Sequence, residues 1–305
     1  MKLLKFKRMK ELASKTYQDV QESIFSALCE LDPKAEVIGD KWERGDNGGG
    51  GFSRVISSGE VFEKGGVNFS EVYGTLPAEM SLKLTGEAKE KEFYATGTSL
   101  VIHPYSPRVP TTHANYRYLE VEGLKWFGGG ADLTPYKLEE EDATFFHQQF
   151  KTACDKHNEE FYPKFKKWCD EYFYLPHRKE TRGVGGIFYD YLGKDDPENL
   201  DNYYNFSKDA SAAFLEAYLP IVNKRKDEPW TEAEKDFQLH RRGRYVEFNL
   251  IYDRGTLFGL KTNGRTESIL MSLPAEVRWS YNYQTENKAE EEKLLEVLRQ
   301  PKEWV

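Results

Sequence analysis

The feature that most constrains this chain is residues 99–136, SLVIHPYSPRVPTTHANYRYLEVEGLKWFGGGADLTPY. Residues 99–103 alternate and are rich in β-branched side chains, which reads as a strand ending at Pro104. Pro104, Pro107 and Pro110 then hold an extended loop, since each fixes its own φ and turns its predecessor away from helix. Residues 115–121 form a second strand, with Arg117, Leu119 and Val121 on one face and Tyr116, Tyr118 and Glu120 on the other. It runs into Gly128-Gly129-Gly130-Ala131-Asp132, where the backbone sheds its side chains just before a carboxylate. Glycines in a row permit close backbone approach or positive φ, although a plain hairpin uses them too. Guanidinium, imidazole and carboxylate groups beside such a loop have the makings of a site.

Around this stretch the chain alternates short strands with separate helices. Residues 10–31 form an amphipathic helix, with Val20, Ile24, Leu28 and Leu31 on one face. Gly48-Gly49-Gly50-Gly51-Phe52-Ser53-Arg54 lacks the Lys-Ser/Thr of a P-loop, so it is expected to be a flap or tight turn, with Arg54 as an anion contact. Short strands follow at 54–57, 61–62 and 67–69. Residues 138–173 read as two helices broken near Pro163, 181–186 as a Gly-rich turn and 187–192 as a strand. A helix over 207–224 takes Ser207 as its N-cap, and Thr231 with Glu234 makes a capping box for a further helix that Gly243 closes. Residues 245–253 and 256–261 read as a hairpin about Arg254-Gly255, followed by a strand over 268–272 and a terminal helix over 288–299 stopped by Pro301. The class expected is α+β, with a large, mainly antiparallel sheet. With no Ser/Gly/Pro-rich linker in 305 residues, a single domain spanning 1–305 is expected.

Composition narrows the function. A net charge of −8 argues against a general nucleic-acid binder. Residues 241–278 nevertheless carry seven cations against four anions, which suits either an anionic small molecule or a solvated basic face. No stretch approaches the ~20 apolar residues of a membrane span, and the basic first ten residues are not followed by an apolar run with a cleavage site. A soluble, cytoplasmic protein is expected. Cys29, Cys154 and Cys169 have no short spacing, so neither a disulfide framework nor a zinc ribbon is indicated.

Several segments resemble the oxygen-dependent coproporphyrinogen III oxidases of haem biosynthesis. They are HANYRY from His113, WFGGGADLTPY from Trp126, YLPHRKETRGVGG from Tyr174 and GRYVEFNLIYDRGTLFGLKTNGR from Gly243. The likeness runs from GGGGFSRV at Gly48 to RWSYNY at Arg278, in the family's order. Asn263 stands where a second glycine is common, and Ala275 where a second proline is usual. The resemblance implies an antiparallel sheet with helices on both faces. It also implies oxidative decarboxylation of two propionates to vinyl groups by O2, with no organic cofactor, and a homodimer formed through residues 245–278. The three scattered Cys agree with oxygen use, because the oxygen-independent chemistry needs a Cys-held iron–sulfur cluster.

A tetrapyrrole with four propionates needs cations for its carboxylates and an acceptor for its pyrrole N–H groups. Asp132 fits the acceptor and base, although Asp in DLTP fits a helix-turn cap equally well. Arg117 and Arg265 fit propionates, although Arg117 has Glu120 and Glu122 nearby. By resemblance, Ser99, Asn115, Tyr116, Asn263 and Gly264 complete the substrate contacts, and His113 is the proton donor. In bacterial members His103, His113, His147 and His177 match positions associated with a divalent metal. No short ligand motif joins them here, so metal is not expected to be required. A His-rich metal oxygenase or hydrolase and a non-catalytic tetrapyrrole carrier are the competing readings.

Overall fold

A computed structural model describes residues 2–45, 48–261, 264–284 and 288–305. Its centre is a seven-stranded antiparallel sheet in which six strands follow one another: β1 (Glu36–Glu43), β2 (Gly49–Ser57), β3 (Phe62–Leu76), β4 (Lys91–Pro104), β5 (Thr111–Val121) and β6 (Leu124–Thr134). Helix α1 (Lys2–Leu31) precedes them and the short α2 (Ala78–Thr85) joins β3 to β4. The β5–β6 connection shows why neighbours pair. Glu122 and Gly123 both have positive φ, 42° and 90°, the handedness that matches strand twist in a two-residue hairpin. Beyond β6 the chain passes through α3 (Glu140–Asp155) and α4 (Phe161–Tyr172). A two-strand hairpin, β7 (Tyr174–Leu175) and β8 (Glu180–Thr181), then leads to β9 (Gly185–Leu192), which pairs antiparallel with β6.

Helices α1 and α5 (Leu200–Arg225) cover one face of the sheet, where Tyr17, Ile24, Leu28, Phe206, Phe214 and Tyr218 join Leu100, Ala114, Tyr116 and Tyr118 in one apolar core. The Thr98 hydroxyl donates to the Tyr17 carbonyl at 2.6 Å, and the Tyr116 hydroxyl to that of Ala210 at 3.1 Å. The opposite face is roofed by α6 (Glu232–Ile251), α7 (Arg254–Lys261) and α8 (Thr266–Leu270), and α9 (Lys288–Arg299) completes the chain. This is the α+β class, with helices on both faces of an antiparallel sheet.

Several elements differ from their sequence reading. Residues 245–251, 254–261 and 268–270 are helical, not strands: α6 runs through Gly243 to Ile251, and α7 and α8 follow. Val246, Phe248, Leu250 and Tyr252 alternate, but Tyr245, Phe248 and Asn249 also share a helical face, and that face is buried. Gly243 does not close the helix. A Cβ there would stand 3.0 Å from the Arg278 carbonyl and from Trp279 Nε1, so the glycine admits a crossing chain. Residues 49–51 extend in β2 and form no flap, whereas Gly48 and Gly49, with φ of 67° and 84°, make a turn at its start. Phe62 and the fragment at 67–69 belong to one 15-residue strand, β3. Pro163 sits in the first turn of α4, where its missing N–H costs nothing, and the helix break falls before it. Helix α5 begins at Leu200; Ser207 is buried within it and bonds Tyr17 and Tyr189. The capping box of Thr231 and Glu234 is present.

Candidate active site

Antiparallel register aligns residues of one face in rows across the sheet. One row is Ser53, Asn68, Ser99, Asn115, Gly130 and Phe188. The next is Val101, His113, Asp132 and Gly186, and on the other side come Gly97, Arg117 and Gly128. Polar and glycine residues, with Val101 and Phe188 at the margins, therefore pave this part of the sheet. Above it lies a cavity of about 230 Å³. Asn68, Ser99, His113, Asn115, Arg117 and Gly130 belong to its floor, and Tyr172, Phe173, Asn249, Asp253, Thr256 and Met271 close it from above.

His113 and Asp132 are directly paired across β5 and β6, and His113 Nδ1 lies 2.8 Å from Asp132 Oδ1. An ionised carboxylate only accepts, so Nδ1 carries the proton and Nε2 is left for a substrate. Asp132 is 2% exposed and sits behind the cavity wall, not on it. Arg182, on the turn before β9, donates from Nη2 to both Asp132 oxygens at 2.9 Å. Burial alone would raise the Asp132 carboxyl, but the charge of Arg182 and the hydrogen bond from His113 outweigh it and hold the group below the usual carboxylate range. Arg182 itself is 3% exposed, lies over the rings of Phe173, Tyr245 and Phe248, and donates from Nη1 to Asn249 Oδ1 at 2.8 Å. Asp132 caps no helix; it lies within β6.

Arg117 answers its own question of partner. Its Nη2 meets Asp190 Oδ2 at 2.8 Å and its Nη1 meets Asn115 Oδ1 at 3.1 Å, and it bonds neither Glu120 nor Glu122. The triple glycine makes this possible. A Cβ on Gly128 would stand 2.6 Å from Asp190 Oδ1 and 2.9 Å from Arg117 Nε, so any larger residue would push the pair apart. With its side chain 30% exposed, Arg117 still offers donors to the cavity.

Of the other residues singled out from sequence, Ser99 and Asn115 line the cavity. Tyr116 is turned away: strand alternation sends it into the core on the opposite face. Arg265 pairs with Asp40 of the edge strand β1, beside Gly264, and neither lines the cavity. Asn263 lies outside the described residues. Arg54 pairs with Glu22 and stacks on Phe25 and Phe52, so it is no anion contact in the cavity. The four histidines do not converge. His103 sits between the Thr111 hydroxyl and the Ser272 carbonyl, His147 between the Tyr162 hydroxyl and the Val184 carbonyl, and His177 between the Tyr252 hydroxyl and Glu247. Each of these rings has both nitrogens engaged by protein. Among the described residues no cluster of three or more His, Cys, Asp or Glu is arranged to hold a metal, so this donor set does not fit one.

Arg182, Asp190, Asn249 and Asp253 were not singled out from sequence. Arg182 stood in a glycine-rich turn, RGVGG, which was its one local signal. Asp190 is placed beside Arg117 by the register of β9, set by two helices' worth of intervening chain.

A sheet floor bearing a carboxylate-held imidazole and a carboxylate-held guanidinium under a helical roof is the plan of an α+β enzyme with a cavity between sheet and helices. The chain belongs to the coproporphyrinogen III oxidase family, whose sequence model, described as "Coproporphyrinogen III oxidase", matches residues 12–304. It is 45% identical to the oxygen-dependent coproporphyrinogen-III oxidase of Prochlorococcus marinus (strain MIT 9312), covering 98% of this chain and 94% of that one. To the same enzyme of strain NATL2A it is 46% identical, covering 96% and 90%. Among the described residues no helix is long and apolar enough to cross a membrane.

Proposed function

We propose that this chain decarboxylates two propionates of coproporphyrinogen III with O2 to give the divinyl product, its relatives being named oxygen-dependent coproporphyrinogen-III oxidases. The observation that carries the reading is the pairing of His113 with Asp132 and of Arg117 with Asp190 on one cavity floor, in a chain that matches the family almost throughout. For each side chain, a propionate, O2 and one proton give a vinyl group, CO2 and H2O2. One C–H bond and the C–carboxyl bond break, and two electrons pass to O2. Arg117, held flat by Asp190 and Asn115, binds the reacting carboxylate through its remaining N–H groups. Ser99 and Asn115 add neutral hydrogen bonds. His113 supplies the proton through Nε2, while Asp132 fixes the ring's tautomer and stabilises its charged form. The cavity volume suits one ring and its side chain at a time. Arg265, beside Gly264, holds an outer propionate by exchanging Asp40 for substrate.

Turnover is expected without added metal, because His103, His147 and His177 each have both ring nitrogens committed to protein partners. Homodimer formation through residues 245–278 is supported by the exposure of Leu250, Ile251 and Leu260 there and of the adjoining Trp279 and Tyr281. Light scattering at micromolar concentration is expected to give twice the chain mass; a monomer mass counts against it. Residence in the cytoplasm accords with a chain whose described helices include no membrane span. The deciding experiment incubates the protein with coproporphyrinogen III, with and without air and with a chelator, and follows oxygen consumption and product mass. Aerobic loss of two CO2, unaffected by the chelator, is expected. No oxygen uptake would sink the reading, and loss of turnover restored by one divalent ion would overturn its metal-free part.

A further inference from the structure

A tetrapyrrole with four propionates cannot bring all of them to one guanidinium, so the protein must meet carboxylates away from Arg117. One row of the sheet is suited to that. It crosses the strands from Asp40 through Ser53, Asn68 and Ser99 to Asn115, and Asn68, Ser99 and Asn115 line the cavity. At one end Asn115 bonds Arg117, and at the other Asp40 holds Arg265. Asn68 lies between these ends, two strands or about 10 Å from Asn115. We infer that Asn68 is a carboxylate subsite: its amide N–H groups hold a propionate of a ring next to the reacting one, while Arg117 holds the propionate that reacts.

Hydrogen-bond roles fix which end of the amide is left for a ligand. Trp42 Nε1 can only donate, and it donates to Ser53 Oγ at 3.2 Å. Ser53 has one hydrogen, which goes to Asn68 Oδ1 at 2.9 Å. The Ser268 hydroxyl, 2.6 Å from Ser53 Oγ, is then the donor of that contact. Ser53 is buried and its hydroxyl is fully used, so Asn68 Oδ1 is committed to it. Nδ2 is the other end, and among the described residues nothing accepts from it. A half-buried side chain on the cavity floor thus keeps two N–H donors in reserve. Donors of a neutral amide suit a carboxylate that has to leave again. A guanidinium at this point would bind it more tightly, with a counter-charge as well as hydrogen bonds. The macrocycle must turn between its two decarboxylations, and a neutral subsite lets the waiting propionate move on to Arg117.

The competing role is a strut, because Asn68 ties β3 through Ser53 to Ser268 of α8. Asn68→Asp keeps the acceptor for Ser53 and replaces the N–H donors with a charged oxygen, whereas Asn68→Ala removes both. The inference rests on the function proposed above, and the test separates the two. Binding is measured without O2, so that no turnover intervenes, together with thermal melting and aerobic turnover. The ligands are coproporphyrinogen III and a porphyrinogen with ethyl groups in place of all four propionates. Asn68→Ala is expected to bind coproporphyrinogen about ten- to a hundredfold more weakly than the parent. Asn68→Asp is expected to bind it more weakly still while melting like the parent, and both variants to bind the ethyl ligand as the parent does. At saturating substrate the first decarboxylation should run near the parent's rate, since Arg117 still holds the reacting propionate. An equal loss for the ethyl ligand, or tighter coproporphyrinogen binding by Asn68→Asp than by Asn68→Ala, would make Asn68 a strut and overturn the inference. Parent-like binding by Asn68→Ala would overturn it too, any loss in Asn68→Asp being then a charge acting at a distance. If the parent itself neither binds coproporphyrinogen nor consumes oxygen with it, the functional reading falls, and this assignment with it.

Discussion

Asp132 is the residue on which the floor of the cavity depends, and it acts from behind the wall. Its two oxygens serve Arg182 and His113 together, so one carboxylate sets the position of two cavity groups. Asp132→Asn keeps the size but leaves the buried Arg182 guanidinium without its counter-charge. Removing one partner of a buried pair typically costs about 3–5 kcal/mol, so urea unfolding is expected to show a clear fall in midpoint. Turnover is expected to fall by about 10²–10⁴-fold as the neutral amide, though still an acceptor for His113 Nδ1, no longer holds His113 and Arg182 by its charge. A variant that unfolds at the parent's midpoint would refute the buried pairing. At this scale Ser99, His113 and Asn115 were legible through the resemblance and Arg117 through its charge on a strand, and strand alternation is what puts His113, Asn115 and Arg117 on one face. Tyr116 sits between two cavity residues in HANYRY, yet alternation turns it into the core, so motif membership says less than face. Arg182 was not legible as Asp132's partner, since fifty residues of chain separate the two and only the fold closes that gap.

Among elements, the C-terminal segment secures the turn that carries Arg182. The Val184 carbonyl accepts from both Trp304 Nε1 and His147 Nε2 at 3.1 Å, while the Val184 N–H donates to the Leu133 carbonyl of β6 at 2.9 Å. The Thr181 hydroxyl reaches the Leu298 carbonyl of α9 at 3.1 Å, and Lys302 pairs with Glu140 at 2.8 Å. Trp304 is 8% exposed and stacks against His147. Trp304→Ala is therefore expected to cost about 3–5 kcal/mol and to lower turnover through a loosened Arg182, both measured on the same preparation by urea unfolding and oxygen uptake. An unchanged midpoint would show that the segment merely rests on the surface. A terminal helix was legible from its amphipathic period and Pro301, but what it braces was not, because tertiary contacts leave no local pattern. The roof shows the same limit more sharply. Residues 245–252 satisfy a strand alternation and a helical face at once, and burial against Phe173 and Phe188 on the helical face decides between them.

For the molecule as a whole, the two fully buried imidazoles tie folding to pH. His147 is fixed as the Nε2–H tautomer between the Tyr162 hydroxyl and the Val184 carbonyl, and His103 likewise between the Thr111 hydroxyl and the Ser272 carbonyl. Burial disfavours the charged form of both. It takes His147 down to about 3, and with the nearby Arg242 charge it takes His103 well below its ordinary value. Both folded values lie under that of the unfolded chain, about 6.5. Within that window the unfolded state binds more protons, so stability rises with pH there and is lost as pH falls. Each histidine contributes a slope of about 1.4 kcal/mol per pH unit, giving a loss on the order of 4 kcal/mol between pH 6.5 and 5. Asp132, held low by Arg182, adds to this in the same direction only below the usual carboxylate range. Urea unfolding across pH 5–8 is expected to show a plateau above pH 7 and a decline beneath it. His147→Gln cannot titrate, so its curve should fall about half as steeply whatever its absolute stability. A parent curve flat from pH 7 to 5, or an unchanged slope in His147→Gln, would mean that these imidazoles are not held neutral by the fold.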